Sequence, residues 1–151
     1  GNREGFNRQL NMEIARASRY GSRFNLVMID LNNFKRVNDT LGHQTGDEVL
    51  RAVARAMRSQ VREGDSIYRW GGDEFVLILP EVSRDDAKQV AARHVEAVTK
   101  VELEGMKMEA SFGIASYPED GTDADTLLRK ADELMYENKV ELRPTGSQPA
   151  G

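Results

Sequence analysis

Two short strand-like runs, Ser66 to Trp70 and Phe75 to Leu79, are separated by Gly71-Gly72 and two acids, Asp73 and Glu74. Runs of this kind so close together are joined by a tight hairpin, and paired glycines allow the positive φ such a turn asks for. A hairpin needs a sheet to join, and the rest of the chain supplies one. Phe24 to Ile29, ending in Asp30, reads as a buried strand with Asn25 its one discordant residue. Met106, Met108, Ala110, Phe112 and Ile114 alternate as in a half-buried strand. Between these lie helical stripes. One carries Phe6, Leu10 and Ile14 and ends near Gly21; a second, after Gly46, carries Val49, Leu50, Val53, Ala54, Met57 and Val61. A third, opened by Ser83 and Asp86 in capping-box fashion, carries Ala87, Val90, Ala91, Val95 and Val98. The fourth carries Ala124, Leu127, Leu128, Ala131, Leu134 and Met135, with Thr122 and Asp123 as caps. This alternation predicts an α/β fold, a mixed sheet with helices packed on its faces.

Composition narrows the chemistry. At 151 residues the chain suits one domain. Its 21 Lys and Arg against 25 Asp and Glu give a net charge of −4. That is not the basic surface that grips nucleic acid through many phosphates, although one nucleotide held by a few cations and a metal is compatible with it. The absence of Cys excludes disulfides, thiolate-ligated zinc, iron–sulfur clusters and thiol catalysis. The two histidines, His43 and His94, are too few for a histidine-rich metal site. The longest apolar run, Phe75 to Leu79, is far short of the ~20 residues that cross a bilayer, and no signal peptide is evident. The expectation is a cytoplasmic domain with no membrane contact from this segment and no nucleic-acid partner.

Asp30 closes a strand expected to be central, and Asp73 and Glu74 sit at the hairpin. If the hairpin pairs beside that strand, the acids converge. Carboxylates without His or Cys favour hard cations such as Mg²⁺ or Mn²⁺, which take further ligands from phosphates. The alternative is structural, with Asp30 a helix N-cap and Asp73-Glu74 turn chemistry. The segment from Asp30 to Lys35 turns from strand toward helix, where free N–H groups can hold phosphate oxygens and Lys35 could add charge or simply be solvated. Asp47, after the loop bounded by Gly42 and Gly46, is either a helix-start acid or an acceptor for a guanine edge. His94, beside Ala91 and Val95, reads as a partly buried structural histidine.

The string Arg69-Trp70-Gly71-Gly72-Asp73-Glu74-Phe75 resembles the signature of GGDEF domains, the diguanylate cyclases. Ile29 to Asp39, Gly42 to Glu48, Ser111 to Ala115 with Tyr117 to Gly121, and Ala131-Asp132 with Tyr136 and Lys139 resemble further family blocks in the same order. The resemblance spans roughly Asn2 to Arg143. It implies a nucleotidyl-cyclase and polymerase palm-like fold over residues 1–143, with a frayed tail over 144–151, and condensation of two GTP into cyclic di-GMP. It implies two Mg²⁺ or Mn²⁺ held by Asp30, Asp73 and the Leu31 carbonyl, with Asp73 or Glu74 as proton acceptor and Lys35 as a catalytic cation. Asn38, Asp47 and His43 would hold guanine. Asn33, Phe34, Lys35, Lys139 and Arg143 would hold the β- and γ-phosphates. One GTP per domain implies a C₂ pairing with a second copy. Arg62 and Asp65 resemble the family's RxxD site, where product binds and inhibits.

Some positions depart from the family pattern. Asn32 stands where a second Asp is common, and Leu142 and Pro144 flank Arg143 in place of Gly and Asn. The short lead before Phe6 suggests a catalytic domain excised from a longer protein. The competing expectation is an inactive module that binds cyclic di-GMP or GTP as a receptor. Mixed-purine products are a further alternative, against which Asp47 argues because a carboxylate rewards guanine's N–H donors.

Overall fold

A computed structural model describes residues 2–141. Its elements run α1 (Asn2–Tyr20), β1 (Phe24–Leu31), α2 (Phe34–Leu41), α3 (His43–Arg58), β2 (Ser66–Arg69), β3 (Glu74–Pro80), α4 (Arg84–Thr99), β4 (Glu102–Leu103), β5 (Met106–Lys107), β6 (Ala110–Tyr117) and α5 (Ala124–Glu141). The main sheet has the order β2-β3-β1-β6, and β4 with β5 forms a small separate ribbon. The expected α/β class, a sheet flanked by helices, is observed. Every neighbouring pair is antiparallel, however, where a mixed sheet was expected. The helical crossover from β1 carries the chain to the edge position β2, and the hairpin then inserts β3 between β2 and β1. β1 and β2, which run parallel, are therefore not neighbours.

Burial follows strand parity. Val27, Ile29 and Leu31 of β1 join Phe75, Leu77 and Leu79 of β3 in a core with Val37, Val53, Met57 and Ala91 of α2–α4. Phe24, Leu26 and Met28 join Val76 and Ile78 in a second core with Phe6 and Leu10 of α1 and Leu127, Ala131 and Met135 of α5. β1 is buried along its whole length because helices cover both faces. Asn25, discordant in sequence, is satisfied there: its Nδ2 donates to the Val82 carbonyl at 2.7 Å and its Oδ1 accepts from the Ser116 hydroxyl at 2.6 Å.

Other expectations need correction. The run from Met106 to Ile114 is two strands, and β6 is buried on both faces, since α4 and α5 sandwich it. α3 begins at His43 and ends at Arg58, so Val61 lies beyond it. Neither Gly71 nor Gly72 has positive φ. The hairpin is instead clasped by Arg69, which donates from Nε to the Gly71 carbonyl (3.1 Å) and from Nη2 to the Gly72 carbonyl (2.7 Å). Trp70 packs edge-on against Phe6 at 5.1 Å, under the Arg3 guanidinium. His94 is fully buried, and both ring nitrogens lack partners. Burial pushes its pKa down to about 4. Among the described residues no helix is long and apolar enough to cross a membrane.

Candidate active site

β1 and β3 bring the acids together. Asp30 is the register partner of Glu74 across the β1–β3 pair, and Asp73 precedes it in the turn, its carbonyl accepting from Leu31 N–H at 3.0 Å. By parity Asp30 follows Phe24, Leu26 and Met28, and Glu74 precedes Val76 and Ile78, so both side chains point to the α5 face. There α5 supplies Lys139, whose Nζ stands 2.5 Å from Asp30 Oδ2. Asp30 is no helix cap: Asn33 occupies the N-cap position of α2.

The electrostatics are those of crowded, desolvated carboxylates. Burial raises the pKa of Asp30, opposed by the bond from Lys139 and reinforced by Asp73. Burial likewise raises Glu74, with Asp30, Asp73 and Asp132 adding to the effect. Asp132 on α5 was not singled out from sequence as a site residue; its only signal was membership of the last family block. Asp30 Oδ1 is buried with no hydrogen-bond partner. An orphaned carboxylate oxygen among oxygen donors fits a hard divalent cation. No group of three or more acidic or histidine side chains among the described residues could enclose one alone. A cation here would complete its ligands from water and substrate. Leu31 is buried, leaving its backbone as the available contact.

Asn33, Phe34 and Lys35 form the turn into α2, whose first N–H groups have no intrahelical partner. The Asn33 side chain pins this turn to the strand opposite, donating to the Lys107 carbonyl (2.8 Å) and accepting from Glu109 N–H (3.2 Å). Phe34 is half-buried against the core and Lys35 is exposed. Asn32 turns toward β6, its Oδ1 accepting from the Ser111 hydroxyl at 3.1 Å.

Asn38 on α2 and Asp47 on α3 flank the α2–α3 corner. The corner is built by Gly42 at φ +89° and by Gly46, where an added Cβ would lie 1.7 Å from Asn38 Oδ1. That oxygen is buried and unpartnered. Asp47 is exposed one turn inside α3 and so is not its cap, and His43 is exposed at the first residue of α3. Arg143 lies outside the described residues.

Arg62 and Asp65 are not brought into this cluster. They face each other across a turn with Gly64 at φ +94°, with Arg62 Nε 3.1 Å from Asp65 Oδ2. The turn lies at the far end of β2 from the hairpin, roughly 13 Å at ~3.3 Å per residue. The Asp65 charge also reaches His94.

Fold and site together define an α/β sandwich domain with carboxylates from adjacent strands gathered at one strand end beside a helix-borne lysine. A family model described as "Diguanylate cyclase, GGDEF domain" matches residues 1–144. The chain belongs to this family. It is 38% identical over 141 residues to diguanylate cyclase DosC of Escherichia coli, covering 86% of this chain and 30% of that protein. It is 36% identical over 148 residues to response regulator PleD of Caulobacter vibrioides, covering 94% of this chain and 33% of that protein. The chain thus spans about a third of the length of these curated relatives. Among solved structures, the GGDEF domain of PA1120 (YfiN or TpbB) from Pseudomonas aeruginosa aligns with TM-score 0.88 and 35% identity, covering 95% of this chain and 92% of that one. The GGDEF domain of DgcB from Caulobacter crescentus in complex with c-di-GMP aligns with TM-score 0.86 and 28% identity, covering 95% and 87%.

Proposed function

We propose that this chain is a diguanylate cyclase that condenses two GTP into cyclic di-GMP, working as a transient C₂ homodimer. The reading is carried by Asp30 and Glu74 being cross-strand partners, beside Asp73 and facing Lys139. Asp30, Asp73 and the Leu31 carbonyl would hold Mg²⁺ or Mn²⁺. When bound, such a cation supplies charge neutralisation on the triphosphate and makes a ribose 3′-OH more acidic. Lys35, Lys139 and the N–H groups around Asn33 and Phe34 orient the β- and γ-phosphates. Lys139 exchanges the Asp30 carboxylate for phosphate oxygen as nucleotide arrives. Asn38 and Asp47 read the guanine edge, with His43 at the rim.

The 3′-oxygen of one GTP attacks the α-phosphorus of the other. The bond from that phosphorus to the bridging oxygen breaks, and pyrophosphate leaves. Repetition in the opposite sense closes the ring and releases the second pyrophosphate. The 3′ proton passes to Glu74 or Asp73; burial brings the Glu74 pKa upward, toward that of an efficient base. Each domain holds one nucleotide, so positioning between two copies supplies much of the rate. Arg62 and Asp65 form the product-inhibition site, with the exposed Arg62 guanidinium able to grip phosphate bidentately.

Mass spectrometry of products from GTP and Mg²⁺ tests this reading. Cyclic di-GMP is expected from the native chain and none from Asp73→Ala. Binding of cyclic di-GMP without turnover would replace the cyclase reading with that of a receptor.

A further inference from the structure

The turn that carries Asp73 and Glu74 does not lock itself. Neither Gly71 nor Gly72 has the positive φ of a tight two-residue turn, and the register of β2 with β3 ends at Arg69 opposite Phe75. Beyond that rung the Trp70 N–H donates to the Glu74 carbonyl at 2.8 Å. The carbonyl of the same residue accepts from Arg3 Nε at 3.1 Å. The Arg3 guanidinium carbon also lies 4.1 Å from the centre of the indole ring. Phe6, one turn further along α1 and fully buried, meets Tyr68 and Trp70 edge-on at 5.6 and 5.1 Å. The first turn of α1 is thus braced against the residue from which the acidic turn springs. The acid itself is close by: a Cβ added at Gly71 would lie 2.7 Å from Glu74 Oε1, so this carboxylate rests on the backbone that follows Trp70.

Arg69 holds the turn from within, whereas Arg3 reaches it across 67 positions of sequence. The structural alternative is that Arg3 only fastens α1 to the sheet. Phe6 already does that from inside the core, while Arg3 is exposed and directs its donor to the backbone of the turn. An exposed hydrogen bond and an exposed cation–π contact add modestly to global stability. They do fix where Trp70 sits, and with it Asp73 and Glu74.

We propose that Arg3 is a positioning residue for the carboxylates of this turn: through Trp70 it holds Asp73 and Glu74 in the arrangement that receives the divalent cation. This rests on the cyclase reading. It extends the site to α1, an element that supplies no group to it directly.

Trp70 is the sole tryptophan, so the fluorescence of the full chain reports on this contact without turnover. Arg3→Ala should move the emission to longer wavelength, because one face of the indole opens to water. In calorimetry with 3′-deoxy-GTP, the variant's affinity without Mg²⁺ should stay within about twofold of native and its Mg²⁺-dependent gain should fall about fivefold, as expected when metal-binding groups are loosened rather than removed. Its kcat for GTP should fall about tenfold, on the scale that a misplaced reacting group costs. Arg3→Lys, which keeps a donor and a cation over the ring, should restore most of each loss. An unchanged emission spectrum would overturn the proposal. So would an Arg3→Lys variant as defective as the alanine one, or a loss of Mg²⁺-free affinity as large as the loss of the gain, which would mark general damage. A native Mg²⁺ gain that Arg3→Ala preserves would sink this proposal alone, whereas a native chain with no Mg²⁺ gain would count against the cyclase reading on which it rests.

Discussion

Gly46 and Asn38 illustrate how one missing methyl group shapes the site. The Asn38 amide lies where any side chain at position 46 would begin. In Gly46→Ala the amide must swing away, because it is a movable side-chain end. Helix propensity favours Ala by about 1 kcal/mol and offsets the crowding. Stability should therefore change by no more than about 1 kcal/mol, while GTP affinity falls about tenfold, or roughly 1.4 kcal/mol. Calorimetry and urea unfolding separate the two effects. His94 is the converse, a polar group that burial leaves unsatisfied. Its pKa falls from 6.5 to about 4 in the folded chain. The unfolded chain therefore binds the proton more readily, and stability is lost as pH falls from 6.5 toward 4, by up to about 3 kcal/mol. His94→Leu should flatten urea midpoints over this window and raise stability at pH 7, because an unpartnered buried dipole is removed.

At the scale of elements, β6 and α5 meet closely enough that Gly113 has no room for a Cβ. One would lie 2.2 Å from the Ala131 carbonyl oxygen and 2.3 Å from Met135 nitrogen, both backbone. Gly113→Ala must push α5 away from the sheet, costing about 3 kcal/mol, and the shift would carry Lys139 from Asp30. A lowered urea midpoint together with a raised GTP KM is the expected pair of results. Much of this level was legible in sequence. The helical stripes and the run from Phe24 to Asp30 are strong periodic signals, and Ser83 and Asp123 cap as their spacing predicts, accepting from Asp86 N–H at 3.0 Å and Thr126 N–H at 2.9 Å. The run from Met106 to Ile114 misled because its alternation crosses a break between two sheets. Strand direction was misread because alternation does not reveal a hairpin inserted between parallel strands. The Asp30–Glu74 pairing became legible once the hairpin was placed beside β1. Asp132 and the clasp made by Arg69 depend on tertiary approach and carry no local pattern.

For the whole molecule, the proposed cyclase reading makes the sheet end half of a reaction chamber. On that reading one domain would present acids, phosphate-holding cations and a guanine corner for a single nucleotide, and the second would arrive on a partner. Product formation should rise faster than linearly with protein concentration until the dimer saturates, as followed by pyrophosphate release; strict proportionality at low concentration would argue for a single-domain mechanism. The central physical claim is that carboxylates on β1 and β3 hold a divalent cation against a triphosphate. Calorimetric titration of 3′-deoxy-GTP, which lacks the attacking hydroxyl, with and without Mg²⁺ tests this most directly. The account predicts that Mg²⁺ tightens binding to the native chain at least tenfold and that Asp30→Asn abolishes the gain. An equal Mg²⁺ effect in that variant would contradict it.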